Sequence, residues 1–270
     1  MRLGKNEEHM SSEFPADDDL NLVAQWLREA ERVVAFTGAG ISTDSGIPDF
    51  RGPNGLWVKN PLAEKTSTLS YYLNDPEVRK VAWEGRERTF NGTAVPNAGH
   101  HALVAVHRAG KLSAVVTQNV DGLHQDSGLS HDLVYEVHGT IKFGRCWECK
   151  DRRPMAEFIE RVRAGDPDPH CELCGGIVKS DAVLFEQALD PAVINGSFDA
   201  AENCDVLLAI GSTLAVTPAA YVVDRARASN KKVVIINGGP TERDQYAHLI
   251  LRGDISRILT DLVARAGFPT

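Results

Sequence analysis

Apolar residues fall into two kinds of segment along this chain. Short continuous apolar runs occur at VVAFT (33–37), SAVVT (113–117), LVYEV (133–137), AVLF (182–185), DVLLAIG (205–211) and KVVIIN (232–237). Runs of this kind suit strands of a parallel sheet covered on both faces. Elsewhere the apolar positions recur at helical spacing. Leu20, Val23, Trp26, Leu27 and Ala30 share one face, with Asp17, Asp18 and Asp19 placed to cap that helix. AGHHALVAVHRAG (98–110), TPAAYVVDRARAS (217–229) and ISRILTDLVARAG (255–267) read the same way. The pattern predicts an α/β fold: a Rossmann-like parallel sheet with helices on both faces.

Two segments break this pattern. Residues 53–97 are charged and aromatic, helical in YYLNDPEVRKVAWEGRERTF, and hold no strand of their own; residues 139–181 carry paired cysteines. We expect both to be insertions that together build a small helical and zinc-ribbon module over one end of the sheet. The main domain is then 18–52, 98–138 and 182–270. Residues 1–17 are polar and acidic with no apolar h-region, which predicts a disordered leader and no secretory signal.

Composition changes this picture only by exclusion. Of 270 residues, 43% are hydrophobic and 24% charged, as in ordinary globular chains. A formal charge of −8 argues against a nucleic-acid binder and suits a cationic partner. No run of apolar residues is long enough to span a membrane, so the expected location is cytoplasmic.

The candidate chemistry lies in four places. Cys146-Trp-Glu-Cys149 and Cys171-Glu-Leu-Cys174 are two C-x-x-C knuckles, whose four thiolates suit one tetrahedral zinc with no open position, hence a structural ion. His170 is adjacent but surplus, and Cys204 opens an apolar run as a core residue. Gly38-Ala39-Gly40 follows the first strand and offers backbone N–H groups to a pyrophosphate at a helix N-terminus. Thr43 stands where the third glycine of G-x-G-x-x-G would be, and the loop continues into Pro48-Asp49-Phe50-Arg51, a poor fit to hydride transfer. Thr117-Gln118-Asn119-Val120-Asp121 follows the second strand, on the edge where open α/β sheets bind ligands. It is equally readable as a polar turn or as a cluster that orders ribose and carboxamide. His138 closes the third strand, placed for a general base.

Taken together, these residues resemble the sirtuin family. Gly38-Ala-Gly-Ile-Ser-Thr-Asp-Ser-Gly-Ile-Pro-Asp-Phe-Arg-Gly52 matches its long NAD signature, Thr117-Gln-Asn-Val-Asp-Gly-Leu-His124 its second signature, and His138-Gly139 its catalytic histidine. The likeness runs from about residue 20 to the C-terminus. It implies NAD-dependent removal of an acyl group, most simply acetyl, from protein lysine. The acyl oxygen attacks the nicotinamide ribose, and His138 then acts as base on a ribose hydroxyl. The products are nicotinamide and O-acyl-ADP-ribose. By position, Asn119 and Asp121 would order ribose and nicotinamide, and Gln118 would contact the ribose. Asp49, Phe50 and Arg51 would cover the reacting centre. Thr43, Trp57, Gly211, Ser212, Thr213, Asn237, Gly238 and Ile255 complete the implied NAD contacts, and Val183, Leu184, Phe185 and Glu186 the implied peptide wall.

Two departures stand out. The family's Phe-Gly-Glu reads Phe185-Glu186-Gln187 here, which puts a side chain where a substrate strand needs close backbone approach. The nearest match to the Tyr-x-x-Arg of succinyl- and malonyl-accepting sirtuins is Trp83-Glu84-Gly85-Arg86, and Arg86 is expected to be a surface arginine. The implied partners are acylated-lysine proteins. A mono-ADP-ribosyltransferase or NAD hydrolase on the same site is the rival reading, with a non-catalytic NAD sensor behind it.

Overall fold

A computed structural model describes residues 14–48, 61–90 and 94–270. Helix α1 (Asp17–Glu29) lays Leu20, Val23, Ala24 and Leu27 on the core. Its N-cap is Ala16 and makes no side-chain bond, so the three aspartates lie inside the first turn; they complement the helix dipole instead of capping it. The chain then enters β1 (Val33–Thr37), buried at every position, and a 3₁₀ turn over Ala39–Ser45. Helices α2 (Pro61–Thr66), α3 (Leu69–Asn74) and α4 (Pro76–Phe90) come next. Helix α5 (Ala98–Arg108), β2 (Leu112–Thr117), the short α6 (Leu123–Asp126) and β3 (Val134–Glu136) bring the chain back beside β1.

The cysteine segment forms an antiparallel sheet, β5 (Arg152–Pro154) beside β4 (Phe143–Cys146) beside β6 (Val178–Ser180), backed by α7 (Met155–Arg163). Trp83 of α4 packs with Cys146, Met155, Phe158, Ile159 and Val178, so α4 and the cysteine segment share one small core. The rest is α8 (Pro191–Asn203), β7 (Val206–Ile210), α9 (Tyr221–Ala228), β8 (Lys232–Asn237), β9 (Leu249–Arg252) and α10 (Ile255–Ala266).

The main sheet runs β3-β2-β1-β7-β8-β9, with every pair parallel. Helices α1, α5 and α10 cover one face and α8 and α9 the other. The strand order reverses between β1 and β7, and in open α/β sheets ligands bind outside the carboxyl ends of the strands at that crevice. The sequence missed β9, whose apolar run is only Leu249-Ile250-Leu251. One expected strand is absent: residues 182–185 belong to neither sheet. Their hydrogen bonds go to loops on either side, and a single parallel bridge joins Thr68 to Phe185. Among the described residues, no helix is long and apolar enough to cross a membrane.

Candidate active site

A cleft of about 1410 Å³ opens at the carboxyl edge of β1 and β7. Its floor is two interlocked loops. The Gly38 amide donates to Ile210 O at 2.9 Å and the Gly40 amide to Gly211 O at 2.8 Å. A Cβ on Gly40 would sit 2.7 Å from Gly211 Cα, so only glycine permits this approach. The Gly38 and Gly40 amides therefore donate to protein carbonyls, while Gly38, Ala39 and Gly40 all line the cleft. The segment after them is a 3₁₀ turn, not an α-helix.

Side chains fix that turn from every direction. Asn97 caps α5 through its Oδ1, accepting from the Gly99 and His100 amides, while its Nδ2 donates to Ile41 O (2.8 Å) and Ser45 Oγ (2.9 Å). Ser256 Oγ, in the first turn of α10, donates to Asp44. Asn119, buried, donates through Nδ2 to Gly38 O and Ser42 Oγ, both at 3.1 Å. Ser42 Oγ donates to Asp121 Oδ2 at 2.8 Å, and the Leu123 amide holds the other carboxylate oxygen. Asp121 thus stands one layer behind the cleft, acting on the loop through Ser42. Ser42 and Asn97 were missed as functional residues; Asn97 carried a signal, a helix N-cap directly before the apolar periodicity.

Behind the floor lies a buried polar pair. His124 Nε2 is 2.9 Å from Thr37 Oγ1, which also bonds Thr117 Oγ1. The His100 and His124 rings are 5.1 Å apart, and His124 Nδ1 and His100 Nε2 have no partner among the described residues. Burial holds the His124 pKa down to about 3 and the His100 pKa to about 4, so both imidazoles are neutral.

At the cleft wall, Gln118 Nε2 donates to Ser212 Oγ at 2.9 Å. His138 Nδ1 lies 3.1 Å from Gln118 O. A carbonyl only accepts, so Nδ1 carries the proton and Nε2 is the basic nitrogen. Gly38, Ala39, Gly40, Thr43, Gly211, Ser212, Thr213, Asn237, Gly238 and Ile255 line the cleft with Gln118, Asn119 and His138. Asp49, Phe50, Arg51 and Trp57 lie outside the described residues.

Val183, Leu184, Phe185 and Glu186 line the opposite wall. The Val183 amide donates to His138 O at 2.7 Å. The Phe185 amide donates to Ser67 O and its carbonyl accepts from the Leu69 amide, so its main chain faces the helical insertion, not an incoming peptide. Glu186 has φ +70°, a left-handed conformation that costs a residue with a Cβ about 1 kcal/mol. Its carboxylate accepts from the Ser70 amide at the start of α3. Gln187 folds back, Oε1 accepting from the Leu184 amide at 3.3 Å. Arg86 corrects another expectation. It is half-buried on the cleft wall, stacked over Trp83 and Tyr72, with Nη1 donating to Tyr72 Oη and Nη2 near Ser180 Oγ.

The four cysteines converge as their spacing implied. Their Sγ atoms all lie within 4.8 Å of one another, with Cys146–Cys174 at 3.5 Å and Cys149–Cys171 at 3.6 Å. A tetrahedral ion with Zn–S bonds of about 2.3 Å needs sulfurs roughly 3.8 Å apart. The donor set and spacing therefore fit a structural zinc. His170 Nδ1 pairs with Gly175 O, away from the thiolates.

Comparison with known proteins gives a consistent result. The Sir2 family model matches residues 38–218. NAD-dependent protein deacetylase 2 of Streptomyces coelicolor is 43% identical over 235 residues, covering 87% of this chain and 98% of the relative. NAD-dependent protein deacetylase 1 of Bradyrhizobium diazoefficiens is 39% identical over 240 residues, covering 88% and 92%. A solved Sir2 structure from work on the mechanism and regulation of these enzymes superposes with TM-score 0.84 at 33% identity, over 93% of this chain and 99% of its own. A Sir2 complex with deacetylated p53 peptide and 3'-O-acetyl ADP ribose also gives 0.84, at 28% identity over 93% and 100%. From the interlocked glycine loops to the paired cysteine knuckles, the match is continuous: this chain belongs to the Sir2 family.

Proposed function

We propose that the protein is an NAD-dependent protein-lysine deacylase that releases nicotinamide and an O-acyl-ADP-ribose, with acetyl-lysine as its first substrate. The observation that carries this reading is the pairing at His138. Its Nδ1–H is held by Gln118 O, its Nε2 is basic, and its own carbonyl anchors Val183 of the facing wall. One residue thus joins a base to a peptide-sized wall across a cleft floored by the glycine loops.

When bound, NAD supplies an electrophilic ribose carbon with nicotinamide as leaving group. The chain's residues do the rest. Gly38–Gly40 and Gly211–Thr213 shape the floor, Gln118 and Ser212 present a paired amide and hydroxyl, and Asn119 holds the loop against the sheet. Asp121 works through Ser42 as a positioning residue. His138 Nε2 would accept a proton from a ribose hydroxyl and so make that oxygen the nucleophile toward the acyl carbon, from which the lysine amine is released. Acylated-lysine proteins are the substrates in this reading, and the cytoplasm its setting.

The test is an incubation with NAD and acetyl-, propionyl- and succinyl-lysine peptides, with products identified by mass spectrometry. Nicotinamide and O-acyl-ADP-ribose are expected in equal amounts. His138→Ala should lower turnover by about 10²- to 10⁴-fold and leave NAD binding in place. Free ADP-ribose with intact peptide, or ADP-ribosylated peptide, would replace this reading with the hydrolase or transferase.

A further inference from the structure

The mechanism leaves Asp181 unused, yet its carboxylate is one of the most heavily engaged in the molecule. Arg145 Nε donates to Oδ1 at 2.5 Å and Nη2 to Oδ2 at 3.1 Å, while Arg152 Nε donates to Oδ2 at 2.6 Å. The Asp181 side chain is 16% exposed, and the guanidiniums hold its pKa low against the opposing effect of burial. Arg145 stands on β4 and Arg152 on β5, the strands joined through the first cysteine knuckle. Asp181 begins the segment that forms the peptide wall.

Its main chain is equally committed. The Asp181 amide donates to Phe143 O at 2.9 Å. Its carbonyl oxygen packs on Gly139, where any Cβ would overlap it and where φ is +68°. Buried Lys179 donates through Nζ to Ser180 O (2.8 Å) and Ala182 O (2.6 Å), tying down the residues on either side. Two residues on, the Val183 amide reaches His138 O. The ribbon, Asp181, the His138–Gly139 turn and Val183 therefore form one continuous chain of contacts.

We infer that Asp181 is a positioning residue. Clamped by Arg145 and Arg152, it sets the height of the Ala182–Phe185 wall against His138 and so controls binding of the acyl-lysine peptide, without touching a reactant. This rests on the reading of residues 183–186 as the peptide wall. Charge-assisted bonds to a carboxylate are about twice as strong as neutral ones. Removing the charge loosens the start of the wall while leaving the NAD floor, which draws on β1, β2 and β7, unchanged.

The experiment compares wild type, Asp181→Asn, Asp181→Glu, Arg152→Met and the double variant Arg152→Met/Asp181→Asn. Steady-state kinetics against NAD and acetyl-peptide is read beside hydrogen exchange at the Val183 amide. Asp181→Asn should raise the peptide KM about tenfold, hold the NAD KM within about twofold, and speed exchange at Val183 but not in β7 or β8. Asp181→Glu should recover most of the loss. The double variant should be no worse than Asp181→Asn, because both changes act through one carboxylate. Unchanged peptide KM in Asp181→Asn, or equal shifts in both KM values, overturns the inference. Should wild type prove unable to deacylate, the functional reading falls; the Val183 exchange rate still decides whether Asp181 holds the wall.

Discussion

The two walls of the cleft are built by opposite means. The cleft floor is a glycine loop sewn in place by buried and part-buried bonds: Asn119, Ser42 and Asp121 close on one another, and Asn97 holds Ile41 O and Ser45 Oγ. The neutral pair His100 and His124 lies beneath it. The facing wall, residues 182–186, is held from outside, by arginines of the cysteine ribbon and by Glu186 on the exposed start of α3. It also contains a non-glycine residue in a left-handed conformation. The floor is closed by bonds among loops of the main sheet, whereas the facing wall hangs on charge-assisted bonds of 2.5–3.1 Å from partly exposed arginines, which solvent and salt can reach.

The sharpest way to break the comparison is acid. The folded pKa values of His100 and His124, about 4 and about 3, lie below the unfolded value near 6.5. Below pH 6.5 the unfolded chain takes up protons that the folded floor refuses, so stability is lost as pH falls. At pH 5 the loss is about 2 kcal/mol for each imidazole. Urea unfolding at pH 7 and pH 5 measures it, with the double variant His100→Gln/His124→Gln isolating the imidazole part. If that variant loses as much as wild type, the two imidazoles are not the source of the acid sensitivity.

Next in size is Gly40→Ala. Its Cβ must push Gly211 away, an overpacking of about 1–3 kcal/mol. NAD affinity should fall about tenfold or more by calorimetry, with acyl-peptide affinity little changed; an equal loss of both would mean the walls are one unit. The smallest effect is Glu186→Gly. Relief of the left-handed strain, about 1 kcal/mol, opposes loss of the Ser70 bond, so the thermal midpoint should hold within a few degrees. The peptide KM should change by more than the NAD KM, and a shift in the NAD KM alone would place Glu186 with the floor.

Much of this was legible in the chain itself. Apolar runs fixed five of the six strands of the main sheet, because a strand buried on both faces has to be apolar throughout. The cysteine spacing specified its cluster, because a C-x-x-C turn brings both sulfurs to one point whatever surrounds it. His138 was placed by following an apolar run on the ligand edge of the sheet. Tertiary structure alone decided what each glycine is for. Gly38 and Gly40 read as phosphate contacts, yet their amides meet Ile210 and Gly211, some 170 residues away in sequence. It decided too that residues 182–185, strand-like by composition, leave the sheet: Val183 and Phe185 find their partners in the His138 turn and at Ser67. Arg86, Asp121 and Asp181 share this lesson. A charged side chain shows its type in the sequence, but its role depends on which partner the fold brings within hydrogen-bonding reach, and local pattern carries no record of that.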